Sequence, residues 1–248
     1  MPLTAKVRSV GQVDLSGQDR IVLSGDTLHG ADFRNRHLAQ FSAAGVRLED
    51  CSFDGAVIES ASFGAGRVVS EYVGCSFARA KLRMMSGGYA RFVGCNFEKA
   101  VIENWFCSAV ELIDCTFSGR LQKVIFNGTV PKNDQQVIKR QKNEFVGNDF
   151  SRAKLVDVGF RTGIDLTKQR LPESSEYVYL DDAASAVQRA HAALKSWGDS
   201  EALKRAVSVL GVMEQDVAAG QIQLFMRADD YPRSSRPAIR TMLNAARG

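Results

Sequence analysis

No stretch of the chain approaches the ~20 consecutive apolar residues that a membrane-spanning helix needs, so no membrane partner is expected. The first residues, MPLTAKVRSVGQVDLSG, lack the apolar stretch of a secretory signal, which makes a cytoplasmic location the expectation. Histidine is scarce, and His29, His37 and His191 are too scattered for a metal site or for a base with an orienting partner. The G-x-S-x-G elbow, the P-loop, H-E-x-x-H and paired-cysteine zinc spacings are all missing. GAGR at 64–67 lacks the Lys-Ser/Thr that would follow it in a phosphate loop and reads as a turn. These absences predict a non-enzymatic protein with no catalytic residue, no metal and no cofactor. A strong excess of one charge is missing too. Lys plus Arg number 32 against 28 Asp plus Glu, and a formal charge of +4 over 248 residues is too small to announce a nucleic-acid or membrane partner.

What the chain does contain is a period. Phe33, Phe53, Phe77, Phe97 and Phe117 stand 20, 24, 20 and 20 residues apart, although only 14 residues in the whole chain are Phe. Inside that spacing runs a finer one of five, through Leu28, Phe33, Leu38, Leu48, Phe53, Ile58 and Phe63, then Tyr72, Phe77, Leu82, Phe92, Phe97 and Ile102. A small residue often stands two places before each: Ala31, Ala56, Ala80, Ala100, and the cysteines Cys51, Cys75, Cys95 and Cys115. Neither a 3.6-residue helix nor a long alternating strand repeats every five. A coil with four short sides does, because extended chain points a residue and the one two before it to the same face. Four units close a turn of twenty, and turns stacked about 4.8 Å apart put each Phe above the last. The five phenylalanines and four cysteines are therefore the expected core ladder, with the thiols as small apolar fillers.

GADF at 30–33, RAKL at 79–82 and KAVI at 99–102 resemble the units of the pentapeptide-repeat family, A-(D/N)-(L/F)-x-x. The likeness covers roughly 26–126 and resumes at 143–161, where Phe145, Phe150, Leu155 and Phe160 again step by five. It implies a mainly β fold, a right-handed quadrilateral β-helix. The organisation read from the chain is an N-terminal cap segment at 1–25, the β-helix at 26–163 with insertions near 64–67 and 127–143, a connection at 164–180 with Pro172, and an α-helical region at 181–248. Asp181 or Asp182, Asp199 or Ser200, and Ser235 are the candidate caps of three short helices there.

Three surfaces emerge as candidates. The second insertion carries Lys132, Lys139, Arg140 and Lys142 against Asp134, and reads as a solvated loop or short helix, with a partner or phosphate contact as the functional alternative. One side of the coil puts Glu49, Asp50, Glu71, Glu111 and Asp114 outward against Arg47 and Arg91, a mildly acidic stripe. The adjoining side has Phe41, Ala61, Met85 and Trp105 at inward positions and no outward charge. Burial of that bare side, by the C-terminal region or another copy of the chain, is expected at Tyr89, Trp105 and Phe106. The expectation is a non-catalytic macromolecule-binding rod, an interaction module or regulator with a protein partner. Through the resemblance, a DNA-handling enzyme such as a type II topoisomerase is one such partner, since some family members mimic duplex DNA. A scaffold or subunit of a defence, toxin-immunity or homo-oligomeric assembly is an alternative, and direct nucleic-acid binding through the basic insertion is another.

Overall fold

The computed structural model describes residues 17–198 and 200–248, and most of the segment read as an N-terminal cap lies outside them, as does Asp199. Parallel strands stack into a β-solenoid of about five turns, followed by a smaller C-terminal unit of helices and one strand pair. The rod begins earlier than the sequence pattern suggests. Strand Arg20–Ser24 already pairs in parallel with Gln40–Ala44, placing Ile21 and Leu23 inside.

Each turn has four sides, called here A to D in chain order. Side A stacks Leu28, Leu48, Tyr72, Phe92, Leu112 and Phe145 in register. Side B carries the phenylalanine ladder, side C stacks Leu38, Ile58, Leu82, Ile102, Leu121 and Leu155, and side D stacks Phe41 and Ala61, then Trp105, Val124 and Val158. The closing of each turn has a local cause. Between A and B every turn places one residue in the left-handed region, at Gly30, Asp50, Gly74, Gly94, Asp114 and Gly147, with φ from 51° to 70°. Only glycine, and Asn or Asp at some cost, adopts this conformation readily. The alternation of Gly with Asp is itself packed: a Cβ on Gly74 would lie 2.6 Å from Asp50 Oδ1.

The ladder is built as the spacing predicts. Rings Phe33, Phe53, Phe77, Phe97, Phe117 and Phe150 stack in one column with centroids 4.5–4.8 Å apart and planes within 10°. A second group crosses it edge-on, with Phe41, Phe63 and Phe92 at 64° to 89° to ladder rings. Offset-stacked and edge-to-face pairs each add about 0.5–1.5 kcal/mol beyond area burial. Cys51, Cys75, Cys95 and Cys115 form the neighbouring column, all free thiols and all buried, and their sulfurs contact side A carbonyls such as Leu48 O at 3.4 Å from Cys75 Sγ. Burial raises the Cys107 thiol.

Two interruptions leave the rod, both at the corner between D and A. The first is the loop 64–69. The second holds helix α1 (Lys132–Ile138), between strands Thr116–Asn127 and Phe145–Val146. The C-terminal unit comprises α2 (Ala183–Leu194), α3 (Glu201–Ala218), α4 (Arg236–Arg247) and an antiparallel pair, Tyr177–Leu180 with Leu224–Arg227. Asp182 accepts from Ser185 N and Ser200 from Leu203 N, so both act as N-caps. Ser235 precedes α4 and Pro237 lies in its first turn, but the Ser235 hydroxyl donates to Pro232 O instead of capping. The strand pair falls in segments read from sequence as a connection and a helical region; two runs of four residues 44 positions apart give no local signal of pairing.

This unit closes the end of the rod. Tyr177 and Phe225 stack at 4.9 Å and belong to the rod's own core, with Phe225 edge-on to Phe160. Gln221 and Gln223 accept from the backbone N–H groups of Gly163, Ile164 and Leu166, satisfying donors that a bare last turn would leave open. The helices form a second core around Ala186, Ala190, Leu210, Met213, Ile239 and Leu243.

Candidate functional site: the outer sides of the rod

The described interior is filled by side chains, so the surfaces of interest are exterior. Side A, read as an acidic stripe, is largely neutralised. Arg47 bridges Glu49 and Glu71. Arg91 lies 3.3 Å from Glu111 and 3.2 Å from Glu144. Glu111 keeps its outward position in the row of Arg91, but the insertion covers it and it receives Arg140 at 3.0 Å. Asp50 and Asp114 remain exposed at corner positions, with Asp50 3.6 Å from His29.

The basic insertion changes accordingly. Arg140 folds back on the rod, donating to Ala109 O at 2.8 Å and to Asn143 Oδ1, and burial lowers its pKa against the pull of Glu111. Asn143 in turn donates to Ser108 O and Asn127 O, so this part of the loop is a buried hydrogen-bonded staple. Lys132, Lys139 and Lys142 are left exposed. Two residues assigned by sequence to opposite kinds of surface, Arg140 and Glu111, are thus partners of each other.

From Ser42 to Ser108 side D carries no outward charge, as the sequence indicates, with Arg20 and Arg161 at its two ends, and it is not covered by the C-terminal unit, which sits at the rod's end. Met85 is 62% exposed and Phe106 53%. Val22 and Val68 are also exposed, so four of the seven exposed large apolar residues among those described lie on or beside this one side. Only its border is covered from within the chain: the Tyr89 hydroxyl donates to Asp134 Oδ1 of α1 at 2.7 Å, and that carboxylate raises its pKa. Trp105 is not part of the surface. It is 1% exposed inside the rod, edge-on to Phe92 at 5.6 Å. Met85 points out and Met84 points in, the reverse of the sequence reading. The corner between C and D takes three steps from Ile58 to Ala61 but only two from Leu82 to Met84, which moves the inward position by one.

Side C, which the sequence reading passed over, carries the strongest charge. From the third turn to the last, Arg79, Lys81, Arg83, Lys99, Arg120, Lys123, Arg152 and Lys154 are all exposed on this side and its corners, against Glu98, Glu103 and Asp157. Among the described residues only Lys99 of these eight has a carboxylate within ion-pair distance, Glu98 at 3.4 Å. Lys81, Val101, Arg120 and Lys154 lie in one hydrogen-bonded register row.

In the C-terminal unit Asp229 and Asp230, read as a turn, do form one, and they also anchor arginines: Asp230 receives Arg227 at 2.8 Å and Asp229 receives Arg240 at 2.6 Å. No group of His, Cys, Asp and Glu among the described residues is arranged to hold a metal, and no helix described is long and apolar enough to cross a membrane. No protein-family model matches the chain, and no significant match is found among curated proteins or solved structures.

Proposed function

We propose that the chain is a non-catalytic macromolecule-binding protein, a rigid β-solenoid rod that serves as an interaction module or regulator and docks a protein partner on side D. The observation that carries this reading is the uncharged strip on which Met85 and Phe106 stand out of an otherwise charged surface. Apolar side chains held on a stiff sheet lose little further freedom on binding, which favours a docking surface. The non-catalytic part of the reading rests on the sequence, with its missing nucleophile, metal and phosphate-loop motifs.

A topoisomerase partner engaged through duplex mimicry, as the pentapeptide-repeat resemblance suggests, would need free carboxylates to stand in for phosphates. The pairing of Glu49, Glu71 and Glu111 with arginines weighs against that partner. Self-association through side D is the second reading, favoured by the same exposed residues; light scattering separates a dimer from a monomer. The direct test of docking places a photo-crosslinking amino acid at Phe106 and, as a control, at Ser52 on side B, in the cell of origin. A discrete adduct from position 106 and none from 52 is expected. Identical adducts from both positions, or none from either, would defeat the reading.

A further inference from the structure

We infer that side C is a binding surface for the backbone of duplex nucleic acid, independent of sequence. Eight exposed cations against three carboxylates give a surplus of five on one side of the rod. Over the same length, most carboxylates of side A are paired with Arg47, Arg91 and Arg140, which leaves that side close to neutral. On a four-sided coil A and C face away from each other, so a ligand on C meets that side's cations at contact distance and the carboxylates of A only from across the rod, about 10 Å away or more. The small formal charge of the chain therefore conceals two unlike faces.

The geometry fits an extended polyanion. The cations sit on strands about 4.8 Å apart, so the patch from Arg79 to Lys154 covers about 15 Å along the rod. Duplex DNA presents about one charge per 1.7 Å of its axis, enough for four to six phosphates to meet such a patch. Among the described residues seven of the eight cations have no carboxylate to release first, which keeps the cost of rearrangement low. Side C also lacks what other anionic partners use. Its row residues Val57, Val101 and Val156 are only partly exposed, and none of the exposed large apolar residues lies here, so nothing can insert into a lipid surface or form the apolar centre of a protein interface. No aromatic ring is exposed on this side for stacking on single-stranded bases. Backbone contact to a double strand remains as the favoured chemistry. This goes beyond docking at side D, and the two surfaces share no residue.

The test is fluorescence anisotropy of the full chain with a labelled duplex of about 20 base pairs and arbitrary sequence, across a series of salt concentrations. Binding should weaken on a log–log plot with a slope of about −4 to −5, a loss of about 500-fold between 50 and 200 mM salt. The variant K81Q/R120Q/K154Q should lower the slope by between two and three and weaken binding at low salt by at least about 30-fold. Its thermal melt should match the parent, since all three side chains are exposed and unpaired. The insertion variant K132Q/K139Q/K142Q should bind within about twofold of the parent. The inference fails if duplex binding is absent at low salt, if it is insensitive to salt, or if the insertion variant loses it while the side C variant keeps it. Binding to phosphatidylserine vesicles with none to duplex would likewise overturn it. Loss of duplex binding in the side C variant with the Phe106 adduct intact would separate this surface from side D.

Discussion

Replacing Phe77 by alanine is the most informative single perturbation of the rod. Phe77 is completely buried and stacks on Phe53 at 4.8 Å and on Phe97 at 4.7 Å, with Phe63 and Phe92 edge-on at 5.4 and 6.2 Å. Phe33 has one stacked neighbour, Phe53, and one edge-on neighbour, Phe41. Truncating a buried Phe costs about 3–5 kcal/mol, including the cavity it leaves. Each ring pair adds about 0.5–1.5 kcal/mol, so F77A belongs near the top of that range and F33A about 1–2 kcal/mol lower. F77L keeps much of the volume and isolates the four ring contacts, at about 2 kcal/mol or more. The measurement is guanidinium unfolding followed through Trp105, which sits in the same core, in a W197F background that silences the other tryptophan. Far-ultraviolet dichroism should be recorded in parallel, because a stacked array can lose end turns before its centre. If F77A costs less than about 1.5 kcal/mol, or less than F33A, the ladder is not the cooperative centre of the rod.

Three further outcomes are expected. G88A should cost about 2 kcal/mol or more, because φ is +56° at Gly88 and a Cβ there would lie 2.1 Å from Gly64 O; chemical denaturation reads this. A thiol reagent should find no fast-reacting cysteine in the native protein and all five after unfolding, since every cysteine is buried; several rapid native thiols would contradict the packed column. Asp216 is mostly buried beside Arg161, and burial raises its pKa, so the stability tied to its protonated form is present below the ordinary carboxylate value of 3.8 and lost as pH rises above it. D216N should therefore melt higher than the parent at neutral pH and lose that advantage below the ordinary value; an advantage of equal size at both would refute burial as the cause.

The interior was legible in the sequence because it is written in the chain's own period. A phenylalanine every twenty residues, and a small residue two places earlier, state both the number of sides and which residues face in. The exterior was legible only where consecutive turns repeat a residue type, as in the uncharged run of side D. Lys81, Arg120 and Lys154 share a row but stand 39 and 34 residues apart, because a one-residue shortening after Phe117 and the α1 insertion shift the count. A summed charge erases such a row. The pairing of Arg140 with Glu111 was hidden for the same reason: an insertion reports its composition but not where it folds back. Met84 and Met85 exchanged places because a single corner is one residue shorter, and strand alternation turns that difference into a complete reversal of facing.

Loop 64–69 and the α1 segment both depart and return where side D meets side A, and in each case the chain resumes the register it left: Leu48 aligns with Tyr72 and Leu112 with Phe145. That corner behaves as a port in the lattice. Extra sequence can be spliced there without shifting the phase of any later turn, whereas splicing inside a side would move every downstream residue to the wrong face. The rod can therefore diversify what it displays along this one seam while its packing stays unchanged, and a foreign peptide grafted into the seam would inherit a stiff, evenly spaced mount.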